Sequence, residues 1–318
     1  MKAVQISSYG DRPAVVEVDS PRPGPGEVVV RVAGAALNPL DLKMAAGSMH
    51  DDFPVEFPYT LGTDVSGTIA STGSGRAGWD VGDRVVARLD PSRGGAFAEE
   101  VVVPVDQLVA APRSLPLAHA AGVVTTAATA WQALTEVAGL RAGQTILVHA
   151  GAGGVGTFAV QFARALGAHV ISTASGRGLE IARQMGAHQV VDYTATDFRT
   201  VVPRVDVVLD TVGGAVEKDS LDVLAAGGVL VATPAPPDDE RARARGARAR
   251  FVFHQSDAKR LADVVSRIDE GARLVIDGTS PLTEAPAALA RLAAGRAKGK
   301  LLLVVDESLP GQVPARGA

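Results

Sequence analysis

The sequence contains no cysteine among its 318 residues. This absence excludes disulfide bonds, thiolate zinc sites, iron–sulfur clusters held by thiolates and a cysteine nucleophile. The chain therefore suits a reducing compartment but does not require one. Its length is enough for about two domains, each large enough to bury a hydrophobic core without covalent cross-links.

The chain also has few aromatic residues and no excess of positive charge. Aromatic residues make up 4% of the chain, which is too few to suggest base-stacking surfaces. The formal net charge of −4 argues against bulk attraction to nucleic acids or anionic membranes. The arginine-rich segment 238–250 is interpreted as a solvated loop, with nucleic-acid binding as the alternative. We therefore predict no nucleic-acid partner.

Long apolar runs of the kind that enter or cross a membrane are missing. The first residues, MKAVQISSYGDRP, lack the apolar stretch of a secretory signal. Two uncharged runs, 114–135 and 142–163, are interrupted by proline, histidine and threonines in the first and by a glycine cluster in the second. We predict a cytoplasmic protein without a membrane partner.

The apolar patterns along the chain predict two kinds of architecture. Up to about residue 100, short β-branched runs are separated by Pro, Gly and Asp turns, which is typical of a partly closed β-barrel or a sandwich. The pattern then predicts a long helix over 117–138 and strands that alternate with helices, one of them over 216–225. Such alternation predicts a parallel sheet, because each crossover needs a helix to return the chain. The apolar strand at 300–305 is expected to join the β-rich N-terminal part.

The strongest functional motif is a glycine-rich turn between an apolar strand and an amphipathic helix. Gly151, Gly153 and Gly156 have the GxGxxG spacing of dinucleotide-binding folds, and Gly154 and Val155 complete the motif. We expect the first glycine to allow a tight turn, the second to let a pyrophosphate approach the backbone, and the third to let helix and strand pack closely. Free N–H groups at the helix N-terminus would bind the phosphates. The alternative is a structural glycine-rich turn in another kind of α/β protein.

The residues after the second strand of this unit predict which dinucleotide is bound. An NAD site usually has Asp or Glu there, but the sequence at 173–177 is Thr-Ala-Ser-Gly-Arg. Ser175 and Arg177 could bind a 2′-phosphate, because a guanidinium offers several donors in a fixed geometry. We therefore predict NADP(H) as the cofactor, with a solvated Arg177 as the alternative.

Other strand ends are expected to contact the same cofactor, because ligands bind beyond the carboxyl ends of parallel strands. Tyr193 ends the third strand and is expected near the adenosine phosphate, or alternatively as a surface tyrosine. Val212 and Gly213, after the next strand, are expected at the nicotinamide side. Phe251 and Phe253, on the last strand of the alternation, are included in the same predicted site.

Several short motifs, in their order and spacing, resemble those of one enzyme superfamily. They are NPLD (38–41), LGTDVSG (61–67), VGDRV (81–85), GGAFAEE (94–100), TAWQAL (129–134), AGAGGVG (150–156) and GRAKGKLLL (295–303). Over nearly all of residues 1–305 the chain resembles the medium-chain dehydrogenase/reductase superfamily, most closely its zinc-independent quinone oxidoreductase branch.

This resemblance implies a fold class, domain boundaries and partners. The expected fold is α/β, with a Rossmann-type doubly wound parallel sheet and a GroES-like β-barrel domain. Residues 1–118 and 256–318 would form the barrel domain, and 119–255 the Rossmann NADP(H)-binding domain. Thr125 and Lys300 join the predicted cofactor-binding residues, with packing alone as the alternative for Thr125. Homodimers are common in the family, and we predict one here.

The resemblance also indicates that no metal is bound. In zinc-dependent relatives the block that corresponds to Gly62-Thr63-Asp64 is Gly-His-Glu, and its histidine binds the metal. Thr63 stands in place of that histidine, and no cysteine can supply the usual further ligands. The six histidines show no paired ligand spacing and are expected to be structural. We therefore predict a site without metal.

Four residues are the candidates for catalysis without a metal. Because nothing obvious lowers the pKa of a substrate hydroxyl, hydride transfer to a quinone or an α,β-unsaturated carbonyl is favoured over alcohol oxidation. Asn38 resembles the family asparagine beside the nicotinamide and could donate through its amide. Asp41 is expected to order its loop more than to titrate, and Asp64 to be a remnant of the metal block, hydrogen-bonded within its loop. Lys43, if partly buried, could donate to the acceptor oxygen or protonate it; otherwise it is solvated on a helix.

Taken together, the residues and the resemblance predict an NADPH-dependent, zinc-independent reductase of quinones or activated alkenes. One alternative is a 2-enoyl thioester reductase, which shares the fold and the cofactor. Another is a catalytically idle NADPH-binding protein with a sensing or structural role. The loop 44–59 is expected to supply apolar walls of a substrate pocket, without a readable specificity.

Overall fold

The computed structural model describes residues 1–74, 78–306 and 308. The chain divides into two compact units. Unit 1 comprises the described residues of Met1–Thr125, Ser256–Gly271 and Ile276–Ala318, and unit 2 comprises Thr126–Gln255 and Ala272–Val275. Each unit has its own sheet, and its own candidate site residues.

The described part of the chain forms strands and short helices. In chain order the strands are β1 (Lys2–Ile6), β2 (Ala14–Glu17), β3 (Glu27–Ala36), β4 (Tyr59–Thr60), β5 (Asp64–Thr72), β6 (Arg84–Arg88), β7 (Glu100–Pro104), β8 (Leu108–Ala110), β9 (Thr145–Val148), β10 (His169–Ala174), β11 (Gln189–Asp192), β12 (Val205–Asp210), β13 (Leu224–Ala232), β14 (Arg248–Phe251), β15 (Ile276–Pro281) and β16 (Lys300–Val304). The α-helices are α1 (Pro39–Ala46), α2 (Leu117–Ala120), α3 (Val124–Gln132), α4 (Gly154–Ala165), α5 (Gly178–Gln184), α6 (Phe198–Val201), α7 (Ala215–Ser220), α8 (Asp239–Arg243), α9 (Ala258–Asp269) and α10 (Ala285–Ala293). Turns of 3-10 helix cover Val105–Gln107, Ala121–Val123 and Leu282–Glu284, and a turn of π-helix covers Ala133–Val137.

The large sheet of unit 1 brings distant segments of the chain side by side. Its strands lie in the order β15-β16-β3-β5-β6-β8, β7 also pairs with β3, and a smaller sheet has the order β2-β1-β4. In one row of the large sheet, Leu302, Ala36, Asp64 and Arg88 are successive cross-strand partners. The prediction that the last strand joins the N-terminal sheet is confirmed, because β16 pairs with β3.

The two faces of the central strand β5 have different roles. Val65 and Ile69 point into an apolar core that also contains Phe97. Asp64 and Ser66 point to the opposite face, because successive side chains of a strand alternate. There Ser66 Oγ donates a hydrogen bond to the Leu117 carbonyl oxygen at 2.6 Å. The polar face of β5 is therefore covered by the chain that leads from α2 into α3.

Unit 2 is built on a parallel sheet with the strand order β11-β10-β9-β12-β13-β14. Every neighbouring pair is parallel, so the prediction of a parallel sheet from the alternating pattern is confirmed. The central strand β9 is apolar, and its residues Ile146, Leu147 and Val148 are fully buried, as expected when both faces of a strand are covered. The carboxyl ends of these strands meet at one edge of the sheet, where dinucleotides bind in such folds.

Two predicted helices are shorter in the structure. The chain over 117–138 is divided into α2, a 3-10 turn, α3 and a π-turn, although its alanine-rich pattern predicts one helix. The helix expected over 216–225 ends at Ser220, because the chain enters the buried strand β13 at Leu224. Within the described residues, no helix is both long and apolar enough to cross a membrane.

The arginine-rich segment 238–250 is ordered, and the expectation of a solvated loop is wrong. It contains α8 and most of β14, the edge strand of the parallel sheet. Arg243 and Arg250 both form ion pairs with Asp239. Buried alanines between the arginines, such as Ala249, hold the segment on the sheet.

Candidate functional site

The polar face of the unit 1 sheet holds a group of buried charged and polar side chains. We call it the Asp64 cluster, and its members are Asn38, Asp41, Asp64, Arg88, Thr125 and Lys300. The ionic members are nearly inaccessible to solvent: Asp64 is 0% exposed, Lys300 4% and Arg88 6%. Burial of four charges is expensive unless they are paired and hydrogen-bonded, so the contacts within the cluster decide its properties.

Asn38 connects a cation to an anion across its side-chain amide. Its Oδ1 accepts a hydrogen bond from Lys300 Nζ at 2.7 Å, and its Nδ2 donates to Asp64 Oδ2 at 2.9 Å. The second Nδ2 hydrogen is directed to the Ala36 carbonyl oxygen at the longer distance of 3.3 Å. The amide that we expected to donate to an acceptor is thus already bonded, and only its weak contact with Ala36 is easily replaced.

Asp64 is bonded to other segments of the chain, and the expectation that it bonds within its own loop is wrong. Its carboxylate accepts from Thr125 Oγ1 at 2.6 Å, from Thr125 N at 3.1 Å and from Asn38 Nδ2. Thr125 Oγ1 in turn accepts from Arg88 Nε at 3.2 Å, and Arg88 Nη1 donates to Ser256 Oγ at 3.1 Å. The carboxylate therefore fixes the start of α3 against β5, and Arg88 extends the network to Ser256, two residues before α9.

Asp41 orders its loop, as expected, but it is also a titrating group. Its Oδ2 accepts a hydrogen bond from Asn38 N at 2.7 Å, which satisfies a free backbone donor at the N-terminus of α1. Burial raises the pKa of Asp41 to about 7, against the opposing effects of the Asn38 N–H and of the charges of Lys300 and Arg88. The negative charge of Asp64 raises it further. Burial has the largest effect, because a carboxylate removed from water loses the solvation that stabilises its charge.

Lys300 is the first residue of β16, and this position brings it into the Asp64 cluster. Its Nζ donates to the Leu37 carbonyl oxygen and to Asn38 Oδ1, each at 2.7 Å. Burial lowers the pKa of its ammonium, while Asp64 and Asp41 act in the opposite direction. The sequence places Lys300 at the start of an apolar strand, and only the register of β16 against β3 brings it beside Asn38.

Lys43 does not share this environment. It lies in the last turn of α1 and is exposed. The expectation that Lys43 is partly buried, on which its role as a proton donor depended, is therefore wrong. Arg88, in contrast, is a cluster member that the sequence reasoning missed. The signal in the sequence is an arginine at the end of the apolar run of β6, and only the pairing of β6 with β5 places it opposite Asp64.

The glycine-rich turn of unit 2 has the geometry of a phosphate-binding loop. Helix α4 starts directly after its N-cap residue Gly153, which has no side chain to cap the helix. A Cβ on Gly153 would meet only the Ala150 carbonyl oxygen, at 3.2 Å, so the space in front of the helix is open. The backbone N–H groups of the first helical turn, which include those of Gly154 and Val155, are thereby available to an anion.

The other two glycines of the motif are required by close packing. A Cβ on Gly156 would lie 2.2 Å from the Ala150 carbonyl oxygen, and one on Gly151 would lie 1.8 Å from Ser172 Oγ. The positive φ of this turn, 50°, falls on Ala150. Gly151 lies within the tight turn that the Gly153 N–H closes on the Ala150 carbonyl oxygen at 2.8 Å, and it also lets β10 pack against this turn. Gly156 lets the helix pack on the same turn.

His149 supports the glycine-rich turn as an uncharged residue. Burial lowers its pKa to about 4. Ser220 Oγ donates to the Val216 carbonyl oxygen, so it accepts from His149 Nε2 at 2.9 Å, and Thr173 Oγ1 lies 3.1 Å from Nδ1. These contacts assign the proton to Nε2 and join β9, β10 and α7 below the turn.

The end of β10 carries hydroxyl groups and no carboxylate. Ser175 Oγ donates to Tyr193 Oη at 2.9 Å, which brings together two residues predicted separately from the sequence. Tyr193 is 54% exposed, and Arg177 is an exposed residue directly before α5. Ser175, Tyr193 and Arg177 thus supply two hydroxyls and a guanidinium at the place where an NAD site has an acid.

The loop after β12 is held by a buried aspartate that the sequence reasoning did not single out. Asp210 Oδ1 accepts from Val212 N at 2.8 Å and from Gly213 N at 2.9 Å. Burial raises the pKa of Asp210, while the two N–H groups lower it. The aspartate thereby fixes the backbone of the predicted nicotinamide loop, and the side chain of Val212 is left half exposed.

The last strand of this sheet ends in two neighbouring aromatic residues. The rings of Phe251 and Phe253 are 6.2 Å apart, and Phe253 is exposed. Since β14 is parallel to the other strands, its carboxyl end lies at the same edge of the sheet as the glycine-rich turn. All the predicted cofactor residues of unit 2 are therefore on this edge.

Part of the predicted substrate loop lines a cavity in unit 1. The cavity has a volume of about 580 Å³, and Pro54, Glu56, Pro58 and Tyr59 contribute to its wall. Members of the Asp64 cluster are not part of that wall. In the described part of the chain, no three His, Asp or Glu side chains are grouped so that they could hold a metal ion.

Comparisons with known proteins agree on the architecture. A family model described as an alcohol dehydrogenase GroES-like domain matches residues 24–113, and one described as a zinc-binding dehydrogenase matches residues 185–303. The solved structure of the quinone oxidoreductase from Coxiella burnetii is similar with a TM-score of 0.89 and 31% identity, over 96% of this chain and 99% of that chain. The predicted fold class, an α/β fold with a Rossmann-type parallel sheet and a GroES-like domain, is confirmed.

Two curated relatives match over most of their length. The chain is 33% identical to the mitochondrial NAD(P)H oxidoreductase RTN4IP1 of Danio rerio, over 89% of this chain and 84% of that protein. It is also 33% identical to the chloroplast envelope quinone oxidoreductase homolog of Arabidopsis thaliana, over 95% of this chain and 98% of that protein. Both relatives are oxidoreductases by name, and oxidoreductase activity with a nicotinamide cofactor is supported for this chain.

Proposed function

The chain belongs to the zinc-independent quinone oxidoreductase branch of the medium-chain dehydrogenase/reductase superfamily, and on that premise we propose that it is an NADPH-dependent reductase of quinones or α,β-unsaturated carbonyls. The observation that carries the proposal is the N-terminus of α4, which no side chain of its N-cap residue covers, together with the Ser175–Tyr193 hydroxyl pair. These two residues directly follow β10 and β11, which are the first and second strands beside β9 in the sheet. A helix N-terminus binds phosphate, and hydroxyls with a guanidinium suit a second phosphate better than a ribose hydroxyl.

The residues present fit NADPH. The pyrophosphate would be held by the N–H groups of the first turn of α4, because Gly153 leaves room for its approach. The 2′-phosphate would be bound by Ser175, Tyr193 and Arg177, since the segment 173–177 contains no carboxylate to repel it. The nicotinamide side would be bounded by the loop that Asp210 fixes, including Val212 and Gly213. When bound, the cofactor supplies a hydride.

Stabilisation of the charge on the reduced acceptor is assigned to the Asp64 cluster. Hydride addition to a quinone or an enone places negative charge on the acceptor oxygen, which a hydrogen-bond donor stabilises. Asn38 is the proposed donor, because its contact with the Ala36 carbonyl oxygen is long and Lys300 polarises the amide from Oδ1. The proton that completes the reduction comes from solvent, directly or through the exposed Lys43, and a Lys43→Met variant distinguishes the two routes.

The proposed chemistry does not require zinc. The position of the metal-binding histidine of zinc-dependent relatives is occupied by Thr63, and the chain has no cysteine. Asp64, at the next position, has its carboxylate bonded to Thr125 and Asn38. Dialysis against a chelator is therefore expected to leave the reductase rate unchanged, and loss of the rate with recovery on zinc addition would contradict this part of the proposal.

An acceptor screen tests the function. The purified protein is mixed with NADPH or, in parallel, with NADH, and absorbance at 340 nm is followed with a panel of quinones, enones and 2-enoyl thioesters. We expect oxidation of NADPH with at least one quinone or enone. Oxidation with thioesters alone would assign the chain to the 2-enoyl thioester reductases. Tight NADPH binding without oxidation by any acceptor would assign it to the idle binding proteins.

The location and the oligomeric state stay predictions. The relatives described above are mitochondrial and chloroplast proteins by name, so they do not test the predicted cytoplasmic location. The predicted homodimer is checked by light scattering on the eluate of a sizing column, where a monomer of 32.5 kDa would contradict it.

A further inference from the structure

Lys300 is a buried cation whose hydrogen bonds go to neutral oxygens. It is 4% exposed, and its Nζ donates to the Leu37 carbonyl oxygen and to Asn38 Oδ1. A lysine that only balanced buried charge would be expected in direct contact with a carboxylate. Here the amide of Asn38 stands between the ammonium and the carboxylate of Asp64.

This arrangement fixes which way the Asn38 amide faces. Lysine can only donate and a carboxylate can only accept, so Oδ1 must face Lys300 and Nδ2 must face Asp64. A rotated amide would place its NH₂ group against the ammonium and its oxygen against the carboxylate. The second Nδ2 hydrogen then has one direction, where its contact with the Ala36 carbonyl oxygen is the longest in the cluster.

We propose that Lys300 is a positioning residue of the reductase reaction, whose ammonium orients and polarises the Asn38 amide so that its second N–H can donate to the acceptor oxygen. A hydrogen bond to a cation at the oxygen of an amide strengthens donation from its nitrogen. Lys300 acts through Asn38 and contacts neither acceptor nor cofactor. This role rests on the proposed function and differs from the cofactor contact that the family resemblance implies for Lys300.

The surrounding charges give the role a pH signature. Three elements contribute charges that act on Asp41: β5 with Asp64, β6 with Arg88 and β16 with Lys300. Lys300 lowers the pKa of Asp41, so its removal raises that pKa. Titration of Asp41 changes the charge beside the Asn38 backbone N–H, so an acid limb of the rate profile that follows this carboxyl group should then move to higher pH.

The experiment compares Lys300→Met and Lys300→Arg with wild type, and uses Lys259→Met as the matched control. Lys259 is an exposed lysine on α9 whose ammonium pairs with Asp263. For each protein, kcat and KM of an acceptor from the screen, the pH profile of kcat, the melting temperature and the NADPH dissociation constant are measured. Crystal structures of wild type and Lys300→Met report the orientation of Asn38.

We expect Lys300→Met to lower kcat by about tenfold or more, as for the loss of one charge-assisted hydrogen bond, while its NADPH dissociation constant stays within about twofold. Its acid limb moves to higher pH, its Asn38 amide is rotated or disordered, and Lys300→Arg recovers part of kcat. Lys259→Met behaves as wild type. If Lys300→Met is too unstable to isolate, Lys300→Arg alone must still show a lowered kcat with unchanged NADPH binding.

Three outcomes overturn the proposal. NADPH binding weakened about tenfold with kcat unchanged at saturation would make Lys300 a cofactor ligand. A lowered melting temperature with unchanged kcat and pH profile would make it structural only. An unmoved Asn38 in the crystal structure of Lys300→Met would reject the positioning role even if no acceptor is found, whereas failure of wild type to oxidise NADPH rejects the proposed function alone.

Discussion

The Asp64 cluster of unit 1 and the glycine-rich turn of unit 2 stabilise charge by different means: the first stabilises the charges of its own side chains, and the second would stabilise the charge of a bound phosphate. In the cluster, buried side chains with opposite charges are connected through the neutral side chains of Asn38 and Thr125, and the members come from residues as far apart as Asn38 and Lys300. At the turn, the groups that would meet a phosphate are backbone N–H groups of consecutive residues, and the glycines leave room for it. We therefore expect the cluster to be disturbed most by substitutions that remove a charge, and the turn by substitutions that add volume.

The largest effect is expected where the balance of the cluster is broken. Asp64→Asn keeps the shape of the side chain but leaves Arg88 and Lys300 opposed by Asp41 alone. Removal of one partner from a buried charge network destabilises by roughly 3–5 kcal/mol. We expect a loss of this size in urea unfolding, together with loss of reductase activity. A loss below about 1 kcal/mol would show that the cluster is not held by its charges.

The turn should respond instead to added volume. Gly156→Ala places a Cβ 2.2 Å from a backbone oxygen, so the helix must move; we expect a loss of roughly 2–3 kcal/mol and of NADPH binding. Gly153→Ala is the matched control, because its Cβ is 3.2 Å from that same oxygen. The control should fold as wild type and weaken NADPH binding only. Equal destabilisation by both substitutions would contradict the distinct roles of the two glycines.

A third test uses pH to separate the two sites. The pKa of Asp41 is raised by burial to about 7, so its stabilising contribution is complete below its ordinary pKa and is lost as pH rises through 7. Asp41→Asn removes this titration and can still accept from Asn38 N. We expect the variant to match wild type near pH 4 and to exceed it at pH 8 by on the order of 4 kcal/mol. A constant difference across this range would contradict the raised pKa.

The smallest effect is expected at Thr63, the residue directly before Asp64 and strand β5. Thr63 is 1% exposed, and its Oγ1 has no hydrogen-bond partner in the described part of the chain. Thr63→Val replaces a buried, unsatisfied hydroxyl by a methyl group, and we expect a gain of about 1 kcal/mol in the free energy of unfolding. A decrease in stability, or a raised KM for an acceptor, would show that the hydroxyl has a partner.

The two regions also differ in how far the sequence predicts them. The turn is local: a strand, three spaced glycines and a helix follow one another, so 151–156 could be assigned from the chain alone. Ser175 and Tyr193 were both predicted because each ends a strand, and parallel strand ends meet at one edge. What the pattern did not contain was the packing reason for Gly151 and the supporting contacts of His149 and Asp210.

The Asp64 cluster depends on register, which no local pattern contains. Asn38, Asp41 and Asp64 could be named from their motifs, but their contacts depend on β5 pairing with β3 and β6, and on β16 returning to β3. Arg88 and Lys300 are single charged residues at strand ends, which usually face solvent. Lys43 shows the converse: it lies in the same motif as Asn38, yet helix geometry turns it outward.

The most direct test of the central claim is the affinity of the protein for the two nicotinamide cofactors. Dissociation constants of NADPH and NADH are measured by fluorescence titration, for wild type and for Arg177→Ala. The account predicts that wild type binds NADPH about tenfold or more tightly than NADH, and that Arg177→Ala loses most of this preference without change for NADH. Equal affinities of wild type for the two cofactors, or undiminished NADPH binding by Arg177→Ala, would contradict it.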